Sequence, residues 1–319
     1  MKLEFLHTHI EKEIDSLEKE FDRILKTTDP LITQVGNYVL KSGGKRLRPS
    51  LVILGGKIFG GEIKNLVKIA ATVELIHTAT LLHDDVIDHS QTRRGKATAN
   101  AKWGTEIAIL VADYLFSKAF EIALDTLNPE VLRHLAYVTG KMCEGELFQI
   151  QKRDVFLTLD DYYKIIRLKT AFLFGACPSL GALSAGASDV WIKNLAEFGL
   201  DFGTSFQIVD DTLDYTGTPD KLGKAVGNDL KEGKQTLPLI YTIQSASPDD
   251  RDKIIYCFNN GRDFRTILNY ITTYDGIKYS FDKAKEFSSL ALNKINNLPE
   301  NEYSQDLKKL TVDMVERKS

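Results

Sequence analysis

The chain has 319 residues, 43% apolar and 27% charged, a globular composition that argues against collagen-like, disordered and membrane-embedded classes. Its 41 lysines and arginines against 44 aspartates and glutamates give a formal charge of −3, which excludes the basic bias of a dedicated nucleic-acid binder. Proline is scarce, with 8 residues and none between Pro49 and Pro129, whereas a chain built of many turns would use more, so long helices are expected.

Residues 1–26 set Leu3, Leu6, Ile10, Ile14, Leu17, Phe21 and Ile24 at intervals of three or four among charges, the pattern of an amphipathic helix packed on a core. Glu4, Glu11, Glu13 and Asp15 stand where a signal peptide would be apolar, so no export signal is readable. Gly43-Gly44 interrupts the next helical stretch, Pro49 can open the apolar segment 50–59, and Gly60-Gly61 ends it. A continuous helical pattern covers 63–89, and the polar stretch 90–100 reads as a loop. Further helices alternate with breakers at Asn128-Pro129, Gly217-Thr218-Pro219 and Ser247-Pro248. The longest uncharged run, 171–188, contains Pro178 and many small residues, which suits a tightly packed helix pair better than lipid. Cys143, Cys177 and Cys257 are far apart without CxxC spacing, so neither a disulfide framework nor zinc is indicated, and a reducing cytoplasmic location is expected. No period-2 strand, linker or fixed repeat is apparent, so residues 1–319 are expected to form a single all-α domain without an integral membrane segment.

Two segments share a chemical pattern, Asp84-Asp85-Val86-Ile87-Asp88 and Asp210-Asp211-Thr212-Leu213-Asp214. Each is DDxxD inside an apolar run. On a helix, residues four apart share a face, so Asp84 and Asp88 project together with Asp85 beside them, and the second triplet repeats the geometry. Carboxylates this close repel one another unless a cation lies between them, and hard oxygen donors suit Mg²⁺, which completes its shell with water and phosphate oxygens. Three basic groups accompany them: Arg93-Arg94 on the loop after the first triplet, Lys45, Arg46 and Arg48 after Gly43-Gly44, and Lys224 and Lys234 after the second triplet. Arginine forks match phosphate oxygens. Taken alone, each basic group is ordinary surface charge; together with two acidic triplets they describe a pocket for two phosphorylated molecules.

The motifs Gly43-Gly44-Lys45-Arg46-Leu47-Arg48-Pro49, 81–88 with Arg93-Arg94-Gly95, Lys169-Thr170-Ala171, Phe206-Gln207 before the second triplet, and Lys224 with Lys234 resemble, in order, those of the trans-prenyltransferases, the polyprenyl diphosphate synthases. The resemblance covers about residues 30 to 250 and implies an all-α isoprenoid synthase fold with helices around a deep central cavity, usually as a homodimer. It implies three Mg²⁺ ions per active site, two on Asp84, Asp85 and Asp88 and one on Asp210 with Asp211 and Asp214 near it. The allylic diphosphate would be gripped by Arg93, Lys169 and Lys224 with Lys234 in support, and isopentenyl diphosphate by Lys45, Arg48, His77 and Arg94, with Arg46 a weaker candidate. Thr170 and Gln207 would orient the reacting groups and stabilise the allylic cation beside Lys169. Helix spacing independently permits His77 to share the face of Asp84, two turns on, and Gln207 that of Asp210.

Product length in the resembled family depends on residues four and five positions before the first aspartate, here Thr80 and Ala79, with Phe148 a candidate floor deeper in. Both positions are small, so a long, octaprenyl-type product is expected, with a farnesyl or geranylgeranyl product as the alternative. Helical geometry points Thr80 under the triplet and turns Ala79 away, so the weight on Ala79 comes from the resemblance. Ala112 before Asp113 and Phe172 after Ala171 depart from the family pattern, and Phe172 is expected to narrow the allylic end. The uncharged segments 107–112 and 171–188 can wall the cavity. Two remoter possibilities are an HD-type metal phosphohydrolase using His77 and His83-Asp84, which leaves the second triplet unexplained, and a non-catalytic prenyltransferase subunit, which would typically have lost the aspartates that stand here.

Overall fold

Apolar residues at helical spacing become helices along the chain; Pro129 and Pro248 start helices, Pro49 lies in the first turn of one that begins at Leu47, and the breaker at 217–219 lies outside the described residues. The computed structural model describes residues 4–27, 29–42, 44–216, 227–261 and 263–316. The first helix, α1 (Glu4–Ile24), buries Ile10, Ile14, Leu17, Phe21 and Ile24, the stripe expected of it. Helix α2 (Pro30–Leu40) begins on Asp29, whose carboxylate accepts from the Leu31 and Ile32 amides, a cap contributing about 1 kcal/mol. Then come α3 (Leu47–Lys57), α4 (Ile63–Ile87), α5 (Ala99–Trp103) and α6 (Thr105–Leu124). Asn128 caps α7 (Pro129–Gln151), with its proline in the first turn. Helix α8 (Leu159–Ile166) runs through a π-helical turn, Arg167–Ala171, into α9 (Phe172–Ser184). Helix α10 (Asp189–Thr216) is followed by α11 (Asn228–Lys231), α12 (Leu237–Ser245), α13 (Pro248–Asn259), α14 (Phe264–Thr273), α15 (Gly276–Ile295) and α16 (Glu302–Val315).

The centre is made by α10 lying along α9 and α15, by α3 on α9, and by α4 on α6. Glycine sets the spacing on both sides of α9. A Cβ at Gly181 would overlap the Val52 carbonyl of α3, and one at Gly199 would overlap the Phe174 carbonyl from the α10 side. The small-residue run 171–188 is thus a packed core helix. Two segments, Ile63–Ile87 and Leu159–Ser184, are long and apolar enough to cross a membrane, yet 72% of each apolar window is buried within the fold. A smaller apolar cluster of Tyr215, Leu230, Leu239, Ile254, Phe258, Ile267 and Ile271 ties α11 to α14 onto the end of α10.

One element differs from expectation. Segment 90–100 holds a short antiparallel hairpin, β1 (Thr92–Arg93) with β2 (Lys96–Ala97), turning on Arg94 and Gly95 at φ of 51° and 74°. Two-residue strands carry no alternation to detect, and the left-handed pair is the geometry of a tight hairpin turn even without the usual Asn-Gly. The hairpin is tied down at both ends: Thr98 Oγ1 donates to the Ser90 carbonyl at 2.7 Å, and Tyr38 of α2 donates to the Ala97 carbonyl at 2.8 Å.

Candidate active site

The first triplet ends α4, with Asp84 and Asp85 in its last turn and Asp88 as its C-cap. Acidic groups there oppose the helix dipole, so the site depends on cations from elsewhere. Arg93 of β1 donates through Nε to Asp85 at 2.9 Å, Lys234 Nζ lies 3.6 Å from Asp88, and Arg153, just beyond α7, lies 3.7 Å from the same carboxylate. Burial pushes the Asp84 carboxyl up to about 6, with Glu146 and Asp88 adding to the rise while Lys169 and Arg93 oppose it. Arg153 was not singled out by sequence; a lone arginine in a charged loop gives no signal until the fold brings it to Asp88.

The second triplet divides by role. Asp210 is exposed toward the site, whereas Asp211 and Asp214 are buried. Asp211 accepts from the Tyr162 hydroxyl at 2.7 Å and from Gln207 Nε2 at 2.7 Å. Burial pushes its carboxyl up to about 8, and Asp229 adds to the rise. Asp214 accepts from the backbone amides of Asn228 at 3.3 Å and Asp229 at 3.0 Å, holding the start of α11 beneath the end of α10. Lys224 lies outside the described residues.

Packing also sorts the basic turn before α3. Arg46 sits in the left-handed region at φ 47° and turns inward. It donates to Glu18 at 2.7 Å, Glu74 at 2.9 Å and the Leu40 carbonyl at 2.8 Å, over the Phe21 ring. It clamps α1 and α4 to the turn while also lining the pocket that holds His77, Arg93 and Arg94. Arg48 faces the site instead, its guanidinium 4.4 Å over Phe174 and its Nη1 3.1 Å from His77 Nε2. Burial and Arg48 hold the His77 imidazole well below its ordinary range, so it is neutral and accepts that bond. The Nε of Arg48 is buried without a hydrogen-bond partner. A pocket joins His77 and Thr78 of α4 to Asp85, Arg93 and Arg94, and Lys45 is exposed beside the turn.

The π-helical turn carries Lys169 and Thr170, a local widening of the kind that places side chains at functional sites. Lys169 pairs with Glu146 and donates to Gln149 at 2.8 Å, both on α7. Thr170 Oγ1 donates to Gln207 Oε1 at 3.1 Å. Helix α7 reaches this turn through Gly145, where a Cβ would stand 2.7 Å from Leu168 Cβ.

Thr80 is half-buried on the face of Asp84, donating to the His77 carbonyl at 2.8 Å, whereas Ala79 is 0% exposed, in the protein core. Phe148 is not a floor beneath the triplet. It lies in a surface groove with Leu147, Gln151, Lys164 and Leu168, the Lys164 ammonium 3.8 Å over its ring. The α7 residues that point into the fold are Val131, Leu135, Val138 and Met142, and helical spacing turns Phe148 away from them. Phe172 likewise packs on Tyr137 and under Arg167 rather than narrowing the site. In 107–112, Ala108, Val111 and Ala112 are buried, while Ile109 and Leu110 face outward. His83 is turned to α6, 3.4 Å from Asp113 and stacked on Phe116, on a different face of α4 from His77, so the two histidines do not share a site.

Among the described residues no three acidic, histidine or cysteine side chains converge on one point. Lys234, which follows the second triplet in sequence, lies between Asp88 of the first triplet at 3.6 Å and Glu232 at 2.8 Å. Asp84, Asp85, Asp88 and Asp210 are the carboxylates that could each contribute to holding a divalent cation. They offer hard oxygen donors, and the raised Asp84 carboxyl marks a burial cost that bound cations would relieve.

Residues 29–273 match the family model for polyprenyl synthetase. The chain belongs to the polyprenyl synthetase family. It is 38% identical to the octaprenyl diphosphate synthase of Haemophilus influenzae, over 92% of this chain and 90% of that one. It is 31% identical to the geranylgeranyl diphosphate synthase of Saccharolobus solfataricus, over 94% of this chain and 93% of that one. Among solved structures, a polyprenyl synthase from Caulobacter crescentus complexed with calcium and isoprenyl diphosphate superposes with a TM-score of 0.94 at 33% identity, covering 100% of this chain and 98% of that one. The family members share the all-α isoprenoid synthase fold, and this polyprenyl synthetase is a prenyltransferase.

Proposed function

We propose that this polyprenyl synthetase is a Mg²⁺-dependent, long-chain trans-polyprenyl diphosphate synthase that repeatedly adds isopentenyl diphosphate to an allylic diphosphate. The observation that carries the proposal is the pairing of the first triplet with cations from distant parts of the chain, Arg93 on Asp85 and Lys234 on Asp88, while Asp210 of the second triplet acts on Arg48 and Arg94. Mg²⁺ held by Asp84, Asp85, Asp88 and Asp210, three ions by family likeness, would neutralise charge on the departing diphosphate. Arg93, Lys169 and Lys234, with Lys224, hold that diphosphate as its carbon–oxygen bond ionises. Arg48, Arg94, Lys45 and His77 hold isopentenyl diphosphate, a role supported by the buried, unpartnered Nε of Arg48. The isopentenyl double bond attacks the allylic cation, whose charge faces the oxygens of Thr170 and Gln207. A proton then leaves to the released diphosphate, giving a longer allylic diphosphate. Water would quench the cation, so an apolar cavity is required.

A long product is supported by the small side chain of Thr80 on the face of Asp84. We also propose a cytoplasmic homodimer, one domain per chain, with no nucleic-acid partner. Its interface would be the outward face of α6 and α7, where Leu110, Tyr137 and Leu147 are 67%, 55% and 59% exposed. Purified protein incubated with farnesyl diphosphate, labelled isopentenyl diphosphate and Mg²⁺ should incorporate label into a long-chain product on thin-layer chromatography. No incorporation would refute prenyl transfer, and a farnesyl or geranylgeranyl product would select a short-chain synthase.

A further inference from the structure

Tyr162 lies on α8, fully buried, in a position that no feature of the sequence marks. Its hydroxyl donates to Asp211 Oδ2 at 2.7 Å; Asp211 Oδ1 accepts from Gln207 Nε2 at 2.7 Å; and Gln207 Oε1 accepts from Thr170 Oγ1 at 3.1 Å. These contacts form one chain across α8, α10 and the π-helical turn. Its polarity follows from the chemistry of the groups. Gln207 presents its NH₂ to Asp211 Oδ1, and its carbonyl is thereby turned to Thr170. The Thr170 proton is then committed to that carbonyl, which leaves the Thr170 oxygen lone pairs for the cavity.

We propose that Tyr162 is a positioning residue for the condensation, acting through Asp211 to fix the Gln207 amide with its carbonyl oxygen toward Thr170 and the reacting carbon. The proposal deepens the prenyl-transfer function above and rests on it. Without the Tyr162 hydroxyl, Asp211 Oδ2 loses its donor inside a buried site, the Asp211 side chain can turn, and the Gln207 amide loses its fixed orientation. Both oxygens of Asp211 already accept hydrogen bonds, so Asp211 acts as the anchor of this chain.

The test uses the full-length protein with Tyr162→Phe, Gln207→Leu and the double variant. Tyr162→Phe should lower kcat about tenfold, the scale of one well-placed hydrogen bond, with KM for both diphosphates unchanged within about twofold. Adding it to Gln207→Leu should cost nothing further, because both changes break the same chain. Mn²⁺ binding in the presence of inorganic pyrophosphate, read from the free-ion electron paramagnetic resonance signal, should match wild type in Tyr162→Phe. Near-wild-type kcat in Tyr162→Phe, full multiplication of the two losses, or weakened Mn²⁺ binding would each overturn the assignment. Wild-type turnover in the same assay checks the underlying reaction separately: its absence would refute prenyl transfer itself, and the assignment with it.

Discussion

Replacing Arg46 by Met separates a structural cation from the proposed substrate-binding ones on the same turn. In the native protein the guanidinium bonds Glu18, Glu74 and the Leu40 carbonyl and lies over Phe21. Glu74 is only 7% exposed, so losing its partner leaves a buried charge, a defect of about 3–5 kcal/mol. The Glu18 side chain is 41% exposed and is resolvated by water, so its bond adds little. The Leu40 carbonyl adds about 1 kcal/mol, and methionine keeps much of the stem's packing on Phe21. The net cost is about 4 kcal/mol, or about 8 °C in melting temperature at roughly 2 °C per kcal/mol for a chain of this size. Thermal melts by circular dichroism should show that drop, while KM for isopentenyl diphosphate, measured well below the transition, stays near wild type. The double variant Arg46→Met/Glu74→Leu should recover most of the loss, because no unpaired charge remains. An unchanged melting temperature with a tenfold rise in that KM would refute the structural assignment and return Arg46 to the anion site.

Gly145→Ala would put a Cβ 2.7 Å from Leu168 Cβ and 3.0 Å from the Lys169 backbone nitrogen. It should cost about 1–3 kcal/mol in melts and lower turnover by displacing Lys169 and Thr170; wild-type values in both would show that α7 does not clamp the π-helical turn. Thr80→Tyr should shorten the product on thin-layer chromatography, whereas Ala79→Tyr, at a position with 0% exposure, should chiefly lower the melting temperature; the opposite pattern would make Ala79 the stop. Asp84 has a folded-state value of about 6 against an ordinary 3.8, so the folded state binds its proton more tightly. Its contribution in metal-free protein is therefore present below about pH 4 and is lost by about pH 6, amounting to roughly 2–3 kcal/mol. Mg²⁺ with pyrophosphate should abolish that loss, and the half-saturating Mg²⁺ concentration should rise below about pH 6; melts and titrations with no pH dependence would exclude this role for Asp84.

What could be read from the sequence was what a helix dictates locally. DDxxD at helical spacing, His77 two turns before Asp84, and Gln207 one turn before Asp210 are all consequences of the helical repeat, and α4 and α10 realise them. What could not be read was decided by partners distant in sequence. Arg46 and Arg48 are near neighbours of like charge, and only Glu18 and Glu74 on other helices make one a clamp while the other faces His77. Asp211 is indistinguishable from Asp210 by sequence until Tyr162 and Gln207 occupy both its oxygens. Phe148 was placed by analogy along the chain, but its direction depends on which face of α7 meets the core, and the buried Val138 and Met142 settle that against it. The hairpin at Arg93 and Arg94 was too short to leave a pattern.

The near-neutral total charge of −3 acquires a physical meaning from the way these groups are paired. Arg93 lies on Asp85, Lys234 on Asp88 and Lys169 on Glu146, so cations proposed to grip a diphosphate rest on carboxylates in the protein alone. A divalent cation entering without a diphosphate would have to displace those side chains, leaving Arg93 without Asp85 and Lys234 with Glu232 alone. A diphosphate entering alone would draw them off and leave buried carboxylates unpaired. Either event strands charge in a partly buried site, a defect of several kcal/mol. When both enter, the metal would take Asp85 and Asp88 while the phosphate oxygens take Arg93 and Lys234, so these charges again have partners. The pairing therefore favours joint binding of metal and diphosphate, and the proposed ionisation of the allylic bond would be confined to a site in which the leaving group is already neutralised.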